Sequence, residues 1–291
     1  MMSYKFLPFI ILMFPIGTFS ADIFIGHAYP FKCPYYGCDK VDNYARPLFK
    51  KSQNGWQVFP NGKDVGNTPD ALQQSYKLFP DKIHWNIFNQ DQSLIGEELV
   101  ENKKPAEWWI NVGAGQMQFD FDKIKQNPDK AGHYDTSDDL LLSTNKNSVF
   151  FKFKTRETTD IKVFESSINH IKDIVNKIDP IVTIEEKATI YSVENMDVIA
   201  ILDFKQITDE MIDINSVVLT KTGDKWEFAF DGKSINYDED NVSFRLKAVA
   251  DFDNDEKKEY LFTLSSGVNG FGYVLWQDGV EKPLVYRYYS H

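Results

Sequence analysis

The sequence predicts an α+β, β-dominated fold: antiparallel, hairpin-rich sheets with one long amphipathic helix at about residues 160–178. Three observations lead there. Aromatic residues make up 15% of the 291-residue chain, and large rings favour strands and aromatic-rich cores. The pairs Asn61-Gly62 and Asp231-Gly232 are hairpin signals, because tight type I′ turns need φ > 0. Finally, Ile161, Phe164, Ile168, Ile171, Ile174, Val175 and Ile178 recur at three- and four-residue steps, the period of a helix with one apolar face.

Taken in order, the chain opens like an exported protein. Lys5 precedes the apolar run Phe6–Ile16, and Gly17-Thr18-Phe19-Ser20-Ala21 follows. This is the layout of a secretory signal peptide cleaved after Ser20. The run is too short to span a bilayer, and no later segment is apolar and long enough. Residues 21–55, rich in Pro, Gly, Tyr and Asn, read as an irregular segment. Cys33 and Cys38 form an even, closely spaced pair, which in an oxidising compartment reads as a disulfide. Metal binding with His27, or a redox role at a spacing other than Cys-x-x-Cys, are the alternatives.

Two stretches, Trp56-Gln57-Val58-Phe59 and Trp85-Asn86-Ile87-Phe88, share W-x-[VI]-F ahead of a polar turn. Trp226-Glu227-Phe228 is a weaker echo. Between the first two, Thr68 as N-cap, Pro69 in the first turn and Pro80 as a stop predict a short helix at about 69–78. Trp108-Trp109 would place one ring on each face of a strand. Residues 122–147 read as a polar loop or linker holding the short run Leu140-Leu141-Leu142, with a weak acidic group at Asp135, Asp138 and Asp139. The domain reading is therefore a signal peptide at 1–20, a hairpin-rich region at 21–121, the loop at 122–147, and a helix-plus-sheet region at 148–291.

In that last region a strand at 148–154 precedes the helix, which Thr159 or Asp160 caps and Asp179-Pro180 ends. Strands follow at 181–184, 189–193, 198–204 and 216–220, with a short helical turn at 208–214. Thr222-Gly223-Asp224 and Asp278-Gly279 supply further turns. The last strands are 242–250, 260–264, 273–276 and 284–286.

The strongest chemical signal lies between two of these strands. Asp251, Asp253 and Asp255 alternate, and Glu259 follows four residues later. Carboxylates at positions 1, 3, 5 and 9 of a tight loop, with the Lys257 carbonyl at position 7, are the oxygen set a hard cation such as calcium wants. The loop is no EF-hand, since Glu256 stands at position 6 and Phe262 at position 12. With strands on both sides it resembles the calcium loop of FG-GAP or VCBS-type repeats, D-x-[DN]-x-[DN]-G-x-x-[DE] plus an apolar residue. Asp251, Asp253, Asp255, Glu259 and Tyr260 match. Glu256 replaces the glycine, at a position that often needs φ > 0, which is costly for glutamate. The resemblance covers about residues 245–275 and implies a structural calcium ion holding a strand-to-strand loop. It does not carry a propeller fold, which requires repetition of the loop. The alternative reading of the same residues is an acidic turn capped by Asx-type hydrogen bonds.

Composition narrows the function. The formal charge is −11, which disfavours nucleic acid and gains nothing from an anionic membrane. No G-x-S-x-G elbow or H-E-x-x-H motif occurs, and His27, His84, His133, His170 and His291 are scattered. No catalytic residue is nominated. The sequence thus predicts a periplasmic or secreted, non-enzymatic binding protein with a structural calcium loop and a protein or glycan partner. The competing expectations are a secreted hydrolase acting on polysaccharide or cell envelope, and an interaction module such as an inhibitor or immunity-type protein.

Overall fold

The computed structural model describes residues 22–32, 41–59, 82–89, 91–101, 119–120, 140–160, 164, 187–207, 212–232, 234–235, 242–266, 270–280 and 282–289. Among these the chain is all-β, with three antiparallel sheets. The first sheet contains β1 (Ile23–Lys32), β2 (Val41–Ser52), β3 (Gly55–Val58), β4 (Lys82–Phe88), β5 (Leu94–Glu101), β6 (Phe119–Asp120) and β7 (Leu140–Ser143). Its order is β3-β2-β1-β7-β4-β5, with β6 paired to β2. The second is a meander of β9 (Phe153–Thr158), β10 (Lys187–Val193), β11 (Met196–Ile207), β12 (Ile212–Thr222) and β13 (Lys225–Asp231). The third runs β17-β16-β15-β14-β8, from β8 (Val149–Phe150), β14 (Ser243–Asp251), β15 (Glu259–Ser266), β16 (Gly270–Gln277) and β17 (Leu284–Tyr289).

The third sheet is the middle layer. Phe244, Leu246, Tyr260, Phe262, Leu264 and Val274 meet Ile199, Ile201, Val218 and Phe230 of the second sheet. On the opposite face Ala248, Ala250, Leu261, Tyr273 and Leu275 meet Ile25, Leu48, Phe49, Phe88 and Leu141 of the first. Strands buried on both faces read as nearly continuous apolar runs, as Ala248-Val249-Ala250 and Tyr260-Leu261-Phe262 do. A bulge sets the handover in β14: the register to β15 shifts between Leu246 and Ala248. One extra residue reverses the alternation of faces, so Leu246 faces the second sheet and Ala248 the first.

The α+β class is thereby corrected. No α-helix occurs among the described residues. Of the span read as a long helix at 160–178, Asp160 and Phe164 are described, and Asp160 lies in no regular element. Phe164 is fully buried with its ring 5.3 Å from Trp226, on the outer face of the second sheet with Ala188, Ile190, Ala200 and Leu219. A three-and-four repeat marks residues that seek burial, but not the backbone that delivers it. Here most of the repeat is β-branched, which weakens the helical preference. Residues 21–55 are likewise corrected: β1 and β2 occupy most of their described part. Pro47 sits where the β1–β2 register shifts beside Ile25 and Gly26, a place where a strand tolerates a missing N–H. Ile212–Ile214 belongs to β12 rather than to a helical turn, and Leu140–Leu142 lies in β7, between β1 and β4. The signal peptide, Cys33 and Cys38, Asn61-Gly62, the helix at 69–78, Trp108-Trp109, the acids at 135–139 and the strand at 181–184 lie outside the described residues.

Turn chemistry places several hairpins. Gly223 and Gly279 turn the chain at φ +61° and +80°, at two of the turns read from the sequence. Glu194 and Asn195, both at positive φ, join β10 to β11. Gly272 has a different role: a Cβ there would lie 2.5 Å from the Tyr286 carbonyl oxygen, across the β16–β17 pairing. Gly272→Ala is expected to destabilise the protein by about 2 kcal/mol or more, since a packed ladder must shift to admit the methyl. Urea unfolding of the two forms checks this; a difference below about 0.5 kcal/mol would contradict it.

Candidate metal centre

The acidic loop joins β14 to β15. Its ends are fixed by the ladder, which pairs Ala250 with Glu259 and Glu259 with Gln277. Within the loop, Asp251 turns the chain back on itself. Its Oδ1 accepts the Asp255 N–H at 3.1 Å and its Oδ2 the Glu256 N–H at 3.0 Å. Asp255 Oδ1 accepts the Lys257 N–H at 2.9 Å. The Asp255 bond is an Asx-type turn bond and the Asp251 pair closes a wider turn, so Asp251 and Asp255 serve the backbone whatever else they bind. Glu256 adopts φ +66° and Asn254 φ +59°. The backbone at Glu256 is therefore the left-handed one that the glycine of the resembling pattern would favour.

Asp251, Asp253 and Glu259 each bring a carboxylate oxygen within 4.8 Å of the others. Asp255 is not in that trio; its Oδ2 lies 3.4 Å from Gln277 Nε2. Lys257 is exposed and enters through its N–H. From the other side Asn145 Nδ2 and Ser148 Oγ donate to the Phe252 carbonyl at 2.6 and 3.2 Å. The Phe252 ring is fully buried beside Trp56 and Phe150. The loop is thus pinned by its own acids, by the turn before β8 and by an aromatic anchor.

Glu259 is the unusual member, with no exposed surface. Its Oε2 accepts the Phe252 N–H at 2.9 Å, and its Oε1 accepts Gln277 Nε2 at 2.9 Å and Trp56 Nε1 at 3.3 Å. Burial, with the negative charges of Asp253 and Asp255 added, nevertheless pushes its carboxyl up to about 8. Desolvation and like charge outweigh the donors.

The residues that sequence reasoning missed come from the first sheet. Lys51, near the end of β2, puts Nζ 2.6 Å from Asp253 Oδ2 and 3.9 Å from Asp255 Oδ2. The same ammonium lies 5.4 Å from the centre of the Trp56 ring, within cation–π range. Lys51 pairs with Trp56 across the β2–β3 hairpin, so one hairpin presents both to the loop. Trp56 did carry a signal, as the first residue of a W-x-[VI]-F stretch; Lys51 carried none. Asp253 is held on one oxygen: its side chain is 5% exposed, and among the described residues its buried Oδ1 has no hydrogen-bond partner.

The loop thus gathers three carboxylates, those of Asp251, Asp253 and Glu259, with the Lys51 ammonium against Asp253 and Asp255. No family model, curated protein or solved structure matches this chain.

Proposed function

We propose that this chain is an exported, non-enzymatic binding protein whose β14–β15 loop holds a structural calcium ion. The observation that carries the reading is the convergence of Asp251, Asp253 and Glu259, together with the buried, unpartnered Oδ1 of Asp253. A buried carboxylate oxygen without a donor is costly, and a hard cation would satisfy it. The donor set fits calcium: all oxygen, several carboxylates, and a flexible shell that waters and backbone carbonyls can complete. The left-handed backbone at Glu256 and the strands on both sides support the FG-GAP-like resemblance. Asp251, Asp253 and Glu259 would hold the ion, which supplies charge neutralisation and loop order. Export is supported by the signal-peptide layout at residues 1–20.

Thermal unfolding in EDTA and across a calcium titration tests the site. An ion that binds only the folded protein stabilises it by about 2.7 kcal/mol at a hundredfold excess over Kd. Tm is expected to rise saturably with calcium, and Asp253→Ala is expected to abolish most of that rise. A calcium response of equal size in Asp253→Ala would sink the assignment.

A further inference from the structure

We infer that Lys51 is a built-in competitor for the cation site, so that an ion entering the loop displaces the ammonium that ties the loop to the first sheet. The inference rests on the calcium reading above and assigns a role to a residue outside the acidic motif. Lys51 reaches the cluster from β2, 202 positions upstream of Asp253 in the sequence. Its Nζ already neutralises the Asp253 carboxylate at 2.6 Å and lies within 3.9 Å of Asp255. Among the described residues no other lysine or arginine forms an ion pair with these acids.

The geometry makes ammonium and divalent ion alternatives. A metal sharing the oxygens of Asp251, Asp253 and Glu259 places two positive charges beside a third, with Asp253 common to both. Like charges a few ångströms apart in a partly desolvated site repel strongly, and Lys51 has only a 22% exposed side chain. Its four-carbon stem gives the ammonium somewhere to go: rotation carries it toward solvent while the stem keeps its packing. The Trp56 ring does not leave with it. Trp56 remains bonded to Glu259 and in edge contact with Phe252, so the contact between the sheets is loosened at one ion pair and kept at the aromatic anchor. Calcium occupancy would therefore be read out on β2, in a different sheet from the loop itself.

The competition sets the affinity. Removing the ammonium leaves the same carboxylates with one counter-charge fewer, so a neutral residue at 51 strengthens divalent binding. Isothermal titration of calcium chloride into the purified chain and into Lys51→Met is the direct test. Lys51→Gln makes the same comparison with a polar tip if the methionine variant folds poorly, and Lys51→Arg keeps the charge. Calcium affinity is expected to rise at least tenfold in the neutral variants and to stay within threefold of the parent in Lys51→Arg. Equal or weaker binding in the neutral variants, with the parent binding calcium, overturns the role of Lys51 and leaves the metal site standing. No calcium binding by any of the forms overturns both.

Discussion

Replacing Phe262 with alanine is expected to lower stability by about 3–5 kcal/mol, the range for a fully buried aromatic ring cut back to a methyl. Phe262 has no exposed surface and lies in β15, a central strand of the middle sheet. Its ring meets Phe230 of the second sheet edge-on at 5.3 Å, and Phe230 meets Phe244 of β14 at the same distance. Edge-to-face pairs add to plain area burial, and a close-packed interior relaxes only partly around the void. Urea unfolding should show a lower midpoint with little change in slope. Phe262→Leu should lose less than half as much. A loss below about 1 kcal/mol for the alanine variant would mean that the second and third sheets do not meet through this ring.

A comparably large effect is expected from pH, acting through Glu259. Its carboxyl is pushed up to about 8 in the folded protein, first by burial and then by Asp253 and Asp255. In the unfolded chain a glutamate titrates near the ordinary value of about 4.3. Between these values the folded state holds a proton that the unfolded state has lost, so stability falls as pH rises. The contribution is fully present below about pH 4 and lost as pH passes about 8, at about 1.4 kcal/mol per unit of displacement. In EDTA, unfolding free energies measured from pH 5 to 9 should decline by a few kcal/mol and then level. Glu259→Gln should flatten the decline, because the amide has no proton to lose. Under saturating calcium the decline should also shrink, since a bound ion favours the ionised carboxylate. An unchanged slope in Glu259→Gln would assign the pH dependence to other groups. Asp203 and Asp278, both raised mainly by burial, are the next to test.

The acidic loop shows how far local sequence reaches. The alternation of Asp251, Asp253 and Asp255 between two apolar runs is a local pattern, and the loop between β14 and β15 lies where it points. Turn chemistry at Gly223 and Gly279 is local in the same way, because φ > 0 excludes most other residues. The glutamate at position 6 read as an obstacle, yet the backbone takes the left-handed conformation there. Turn bonds from Asp251 to the Asp255 and Glu256 N–H groups, and from Asp255 to the Lys257 N–H, hold the loop on either side of Glu256 and offset its preference.

What the sequence determined by itself is the β-dominance, several of the hairpin turns and the acid spacing of the loop, since each depends on residues a few positions apart. The tertiary structure decided the rest. Registers and sheet order brought Trp56 onto Glu259 across 203 positions and set Lys51 against Asp253. They inserted β7 between β1 and β4, and they buried Glu259 while leaving Asp255 outside the trio. Apolar periodicity at 160–178 suggested a helix, but among the described residues the fold is all-β. The physical reason is the same in each case: a residue's neighbours along the chain limit its backbone. Only long-range pairing fixes which charge, ring or solvent it finally faces, and that sets its burial and its protonation.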